Sequence, residues 1–140
     1  KGSFCMNKIK VLVVEDMKIA QKIAAMILEA QGCEVDTADS GAQALEQVNK
    51  HDYAVIFMDL GLDDIDGITV TETIRKMENG KKHTPIVALT AHAEEDIKAK
   101  CVVAGMDSFI EKPLSSESAK SILAKFTQSN VLQECREAQC

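Results

Sequence analysis

Residues 54–59 read Ala54-Val55-Ile56-Phe57-Met58-Asp59, an apolar run that ends on a carboxylate. The run is short, rich in Val and Ile, and continuous rather than alternating, which suits a strand buried on both faces. Residues 9–14 and 86–89 repeat this character, and weaker strand candidates lie at 34–38 and 108–110. Helical patterns fill the intervals at 18–30, 42–50, 68–77, 94–103 and 115–126. Punctuation agrees: Gly32 follows the first helix, Gly41 and Gly67 open the second and third, and Gly80 and Gly105 follow the third and fourth. Ser115 is suited to cap the last helix.

Alternating β and α elements predict an α/β fold, a doubly wound parallel sheet with right-handed crossovers and helices on both faces. In such a sheet, ligands gather at the carboxyl ends of the strands. One domain over 9–126 is expected, with 1–8 an N-terminal extension and 127–140 a C-terminal tail or helix extension. A length of 140 residues leaves no room for a second domain, and 46% apolar with 27% charged residues is the balance of a compact globular protein.

The formal net charge of −6 offers no basic face for a phosphate backbone, so direct nucleic-acid binding is not expected. No apolar run is long enough to cross a bilayer or serve as a secretory signal, so no membrane insertion by this segment is expected either. The cysteines at 5, 33, 101, 135 and 140 are irregularly spaced without a C-x-x-C pair. They read as free thiols in a reducing cytoplasm.

Chemistry is therefore to be sought just after each strand. Glu15-Asp16 follow the first, Asp59 the third, Thr90-Ala91 the fourth and Lys112-Pro113 the fifth. Taken singly, each is ordinary: an acidic pair caps a helix, an Asp makes a turn, a Lys is solvated. Taken together, three carboxylates at one sheet edge repel by roughly 1 kcal/mol per pair at 4 Å even in water, and so ask for a cation. Oxygen-only ligands without His or Cys point to Mg²⁺ rather than a soft metal.

Phosphoryl transfer needs an in-line nucleophile and compensation of charge on three equatorial oxygens. Asp59 is read as nucleophile and metal ligand, Asp16 as direct metal ligand, and Glu15 as ligand directly or through water. Gly61 would offer its carbonyl to the metal, and Thr90, the Ala91 N–H and Lys112 would bind phosphate oxygens.

Val13-Val14-Glu15-Asp16, Phe57-Met58-Asp59-Leu60, Asp66-Gly67, Ala88-Leu89-Thr90-Ala91 and Glu111-Lys112-Pro113-Leu114, in this order and spacing, resemble the receiver domain of two-component response regulators. The resemblance spans residues 9–126. It implies a flavodoxin-like (βα)5 fold with strand order 2-1-3-4-5, and an Asp phosphorylated by a histidine kinase or histidine phosphotransfer domain. It also implies a cis Lys112-Pro113 bond and a switch in which Thr90 moves toward the phosphate while Phe109 turns inward. The 87–93 and 104–107 phrasing is similar to receivers embedded in hybrid sensor histidine kinases, which implies a phosphorelay intermediate, cytoplasmic even where the sensor itself sits in a membrane. A stand-alone regulator beginning at Met6 is the other arrangement. Where many relatives carry Leu-Pro in the loop after the Asp, this chain has Leu62-Asp63.

Apolar residues on helix one exceed the core stripe, and Met17, Ala20 and Ile23 are read as the contact for the helical bundle that presents the phosphohistidine. A haloacid dehalogenase-like phosphatase is an alternative, although it wants a second Asp where this chain has Gly61. A pseudo-receiver that takes no phosphate is another. A calcium loop counted from Asp59 fails, because Asp64 and Val70 fall where Gly and Glu are needed. His51, His83 and His92 show no i, i+4 pairing, and His92 is placed on the active-site loop.

Overall fold

A computed structural model of the chain describes residues 9–92 and 94–139, of which 128–139 are described by their backbone alone. The expected extension at 1–8 and the Cys5 and Cys140 thiols lie outside the described residues, while Cys33 and Cys101 are buried free thiols. The elements alternate: β1 (Ile9–Val14), α1 (Lys18–Ala30), β2 (Cys33–Ala38), α2 (Gly41–Lys50), β3 (Val55–Asp59), α3 (Gly67–Glu78), β4 (Ile86–Thr90), α4 (Glu95–Ala104), β5 (Ser108–Glu111) and α5 (Ser116–Gln139). The strands form one parallel sheet in the order β2-β1-β3-β4-β5.

Alternate residues of the continuous apolar strands enter two separate cores. Leu12, Val14, Ile56, Met58, Ile86 and Ala88 pack with Ala44, Val48, Val70, Ile74 and Cys101 from α2, α3 and α4. Val11, Val13, Val55, Phe57, Val87 and Leu89 pack with Ala24, Leu28, Ala119 and Ile122 from α1 and α5. Both faces are thus apolar because both are covered.

Helix starts are fixed locally. Ser40 Oγ accepts the Gln43 N–H at 3.1 Å, Asp66 Oδ1 accepts that of Thr69 at 2.9 Å, and Ser115 Oγ accepts that of Ser118 at 3.1 Å. Each of the last three strands runs one residue beyond its predicted end, because Asp59 pairs in register with Leu89 and Thr90 with Glu111. Asp59 and Thr90 are thereby the last residues of their strands rather than the first of a loop. The α5 backbone runs to Gln139, past residue 126 where the sequence pattern stops.

Candidate functional site

The strand order sets β1 beside β3, with Val14 in register with Met58, so Glu15 and Asp16 leave the sheet next to Asp59. This is the switch point of a doubly wound sheet, where crossovers diverge to opposite faces and leave a crevice. One carboxylate oxygen each from Glu15, Asp16 and Asp59 lie within 4.8 Å of one another. Lys112 Nζ reaches in from the end of β5, 3.0 Å from Glu15 Oε1 and 3.0 Å from Asp59 Oδ1. The Lys112–Pro113 bond is cis.

Backbone groups complete the cluster. Gly61 N–H donates to Asp59 Oδ1 at 3.1 Å and Met17 N–H to Glu15 Oε2 at 3.2 Å. Asp59 and Glu15 are buried. Burial pushes the Glu15 carboxyl above its ordinary range; hydrogen bonds from Lys112 and the Met17 N–H pull it down, but neighbouring Asp59 adds to the upward push. Burial lowers the Lys112 pKa, and hydrogen bonds to Asp59 and Glu15 outweigh that and raise it. Lys112 therefore stays charged, shared between two acids.

The cleft above these groups is lined by Asp16, Asp59, Gly61, Thr90, Ala91 and Lys112, so every residue read as metal- or phosphate-binding borders it except Glu15, which sits just beneath. Thr90 Oγ1 is held by the loop that follows it, donating to the His92 carbonyl at 2.9 Å and accepting the His92 N–H at 3.2 Å. Gly67 cannot be replaced freely, since a Cβ there would meet the Asp59 carbonyl oxygen at 2.4 Å and Leu60 Cα at 3.0 Å. The α3 N-terminus can approach the base of Asp59 only as glycine.

Met17, just before α1, and Ile23 on it are exposed, with Ala20 half-buried between them. They line an apolar cleft of about 320 Å³ that also reaches Glu15 and Lys112. Phe109 stands 36% exposed on β5. The three histidines lie apart: His92 at the cleft, His51 beside Lys10, and His83 against Asp107.

The response regulator receiver domain model matches residues 11–124. The chain belongs to the response regulator receiver domain family. Hybrid signal transduction histidine kinase L of Dictyostelium discoideum is 39% identical over 122 residues, covering 84% of this chain and 7% of the kinase. The receiver thus spans only a small part of the length of such relatives. The receiver domain of sensor histidine kinase PA1611 from Pseudomonas aeruginosa, solved with magnesium coordinated in its active site cleft, matches with a TM-score of 0.77 and 33% identity over 85% of this chain and 97% of that one. A chain of the co-crystal of the Saccharomyces cerevisiae histidine phosphotransfer protein Ypd1 with the receiver domain of Ssk1 matches with a TM-score of 0.77 and 29% identity, over 85% of this chain and 88% of that one.

The chain is accordingly a receiver domain of two-component phosphorelay signalling, which favours that reading over the phosphatase alternative. Two contributors to this receiver's site escape sequence reading. Asp63 N–H donates to Asp16 Oδ2 at 3.0 Å, a bond that a proline at this position could not make. Gln21 Nε2 donates to the Glu15 carbonyl at 3.0 Å and to Asp39 Oδ1 at 2.7 Å, bracing the turn that carries both acids. The Pro-to-Asp departure was the available signal for the first; a buried Gln on a helix gives none for the second. No described helix is long and apolar enough to cross a membrane.

Proposed function

We propose that this receiver accepts a phosphoryl group on Asp59 from a phosphohistidine of a histidine kinase or histidine phosphotransfer domain, in a Mg²⁺-dependent reaction. The observation that carries this is the convergence of Asp59, Glu15 and Asp16 oxygens within 4.8 Å, with Lys112 3.0 Å from Asp59. A carboxylate oxygen of Asp59 attacks phosphorus in line, the P–N bond to the donor imidazole breaks, and its electron pair stays on the nitrogen. Lys112 takes one phosphoryl oxygen, and the Thr90 hydroxyl together with the Ala91 N–H takes another.

The donor set fits Mg²⁺: hard oxygens, few protein carboxylates and an open cleft. Glu15, Asp16, Asp59 and the Gly61 carbonyl would hold it, and when bound it supplies neutralisation of the charge shared by carboxylates and phosphoryl group. The magnesium described in the PA1611 receiver supports this assignment.

Donor docking falls to Met17, Ala20 and Ile23, whose apolar cleft ends at Glu15 and Lys112. A helical donor seated there has its histidine beside Asp59, and the Ypd1 co-crystal supports a partner of this kind. Release of Thr90 from His92 toward the phosphate is the event that turns Phe109 inward. The setting is cytoplasmic, as part of a hybrid kinase relay.

Incubation with acetyl phosphate and Mg²⁺ adds one phosphoryl group to the wild type and none to Asp59→Asn, read by intact mass. A phosphorylated Asp59→Asn protein overturns the assignment.

A further inference from the structure

We infer that Lys98 is a latch that holds the Phe109 ring outward, and that displacement of the first turn of α4 releases it. This rests on the reading of Phe109 as the switch and names the residue that sets its resting position.

Lys98 Nζ lies 4.8 Å from the Phe109 ring centroid, well inside the roughly 6 Å reach of a cation–π contact. Neither partner is buried, with the Lys98 side chain 32% exposed and Phe109 36% exposed. The contact joins α4 to the edge strand β5, two elements that a moving α4 would separate. Ile110, next along the strand, is buried in the core, so the strand itself is anchored while its outward ring is free to turn.

The same turn of α4 touches the phosphoacceptor cleft. Glu94 and Ile97 line it together with Thr90, Ala91 and His92. Drawing the Thr90 hydroxyl toward a phosphate breaks both of its bonds to His92, and α4 begins just beyond. The two ends of α4 are held unequally. The N-cap of its first turn makes no side-chain hydrogen bond, and Lys98 pairs there with the highly exposed Glu95 at 3.7 Å. Its last turn ends on Gly105 at φ +107°, whose carbonyl accepts Arg75 Nε at 3.0 Å and Nη2 at 2.8 Å. A displaced α4 therefore pivots at Gly105 and moves most at the end that carries Lys98. The cation then leaves the ring, and its hold on the outward position is lost.

The chain has no tryptophan, so Phe109→Trp reports from the ring position alone. Beryllium fluoride with Mg²⁺, a stable phosphoryl mimic, is titrated into Phe109→Trp with and without Lys98→Met. Lys98→Met shifts the ligand-free emission toward the liganded one and lowers half-saturating beryllium fluoride about two- to fivefold, the worth of an exposed cation–π contact. Lys98→Arg keeps the parent behaviour. The same titration in the native-ring protein, followed by the Phe109 ring NMR signals, covers any disturbance by the indole.

If the mimic moves the reporter but Lys98→Met changes neither the ligand-free signal nor half-saturation, the latch is overturned and the switch stands. If the reporter ignores the mimic in every background, the switch falls and the latch with it. A lower melting temperature alone, with both readouts unmoved, also overturns the latch.

Discussion

At the carboxyl edge of the sheet Lys112 lies 3.0 Å from both Glu15 and Asp59; at the opposite edge Arg75 lies 2.8 Å from Glu78 and 2.9 Å from Asp107. Each cluster sets one cation against a buried Glu and an Asp, yet the Glu15 pKa is raised and the Glu78 pKa is lowered. Burial pushes both upward. At Glu78 the Thr84 N–H at 2.8 Å and the Arg75 guanidinium outweigh it. At Glu15 the ammonium is divided between two acids, and Asp59 opposes ionisation.

The difference is one of donor geometry. The planar guanidinium of Arg75 spreads its N–H groups over Glu78, the Thr84 and Gly105 carbonyls and Asp107, whose Oδ2 also accepts the Ile86 N–H at 2.9 Å. His83 Nε2 lies 2.7 Å from Asp107 Oδ1 and completes the set. That edge is closed and structural, tying α3 to β4 and β5. The Lys112 edge carries a third acid, Asp16, and remains open to a further cation.

Removing the cation from the closed cluster is the most damaging change. Arg75→Met strands two acids and costs about 3 kcal/mol, read as a fall in urea midpoint at constant slope. A loss below about 1 kcal/mol would show that the two edges do not differ in this way.

At the open edge, addition of Mg²⁺ raises the melting temperature of the wild type, as any ligand of the folded state does. Asp16→Asn loses that rise while melting no lower than the wild type without metal. A full Mg²⁺ response in Asp16→Asn removes that residue from the ligand set.

The smallest effects distinguish the two glutamates by sign. Without metal at pH 7, Glu15→Gln stabilises, since it removes a charge that burial and neighbouring Asp59 disfavour more than Lys112 and the Met17 N–H favour it. Its advantage shrinks as pH falls through the raised pKa of Glu15 toward the ordinary 4.5, because wild-type Glu15 then takes up its own proton in the folded state. Glu78→Gln destabilises at pH 7. Its deficit persists down to the ordinary 4.5 and disappears only as pH falls through the lowered folded pKa of Glu78. Urea titrations at several pH values read both, and equal signs would erase the comparison.

The apolar runs ending at Val14, Met58 and Leu89, with helical periods between them, were enough to read a doubly wound sheet and to bring Glu15, Asp16, Asp59, Thr90 and Lys112 to one edge. That much is legible because a strand covered on both faces must be apolar at every position, and because a βα repeat sends every strand the same way. Gly67 marks the opening of α3 in the sequence, although the 2.4 Å approach to the Asp59 carbonyl that demands glycine is a matter of packing. Strand order is implied by the family resemblance and not by periodicity.

What the chain order left undecided is who shares a proton or a charge with whom. Arg75 finds Asp107 and Gly105 across two crossovers, Asp63 turns its N–H to Asp16, and Lys98 finds Phe109 across the α4–β5 connection. Periodicity assigns a residue to a face but not to a partner. Hydrogen bonds and pKa shifts depend on ångström distances between segments remote in sequence, and those are set only when both cores close around the sheet.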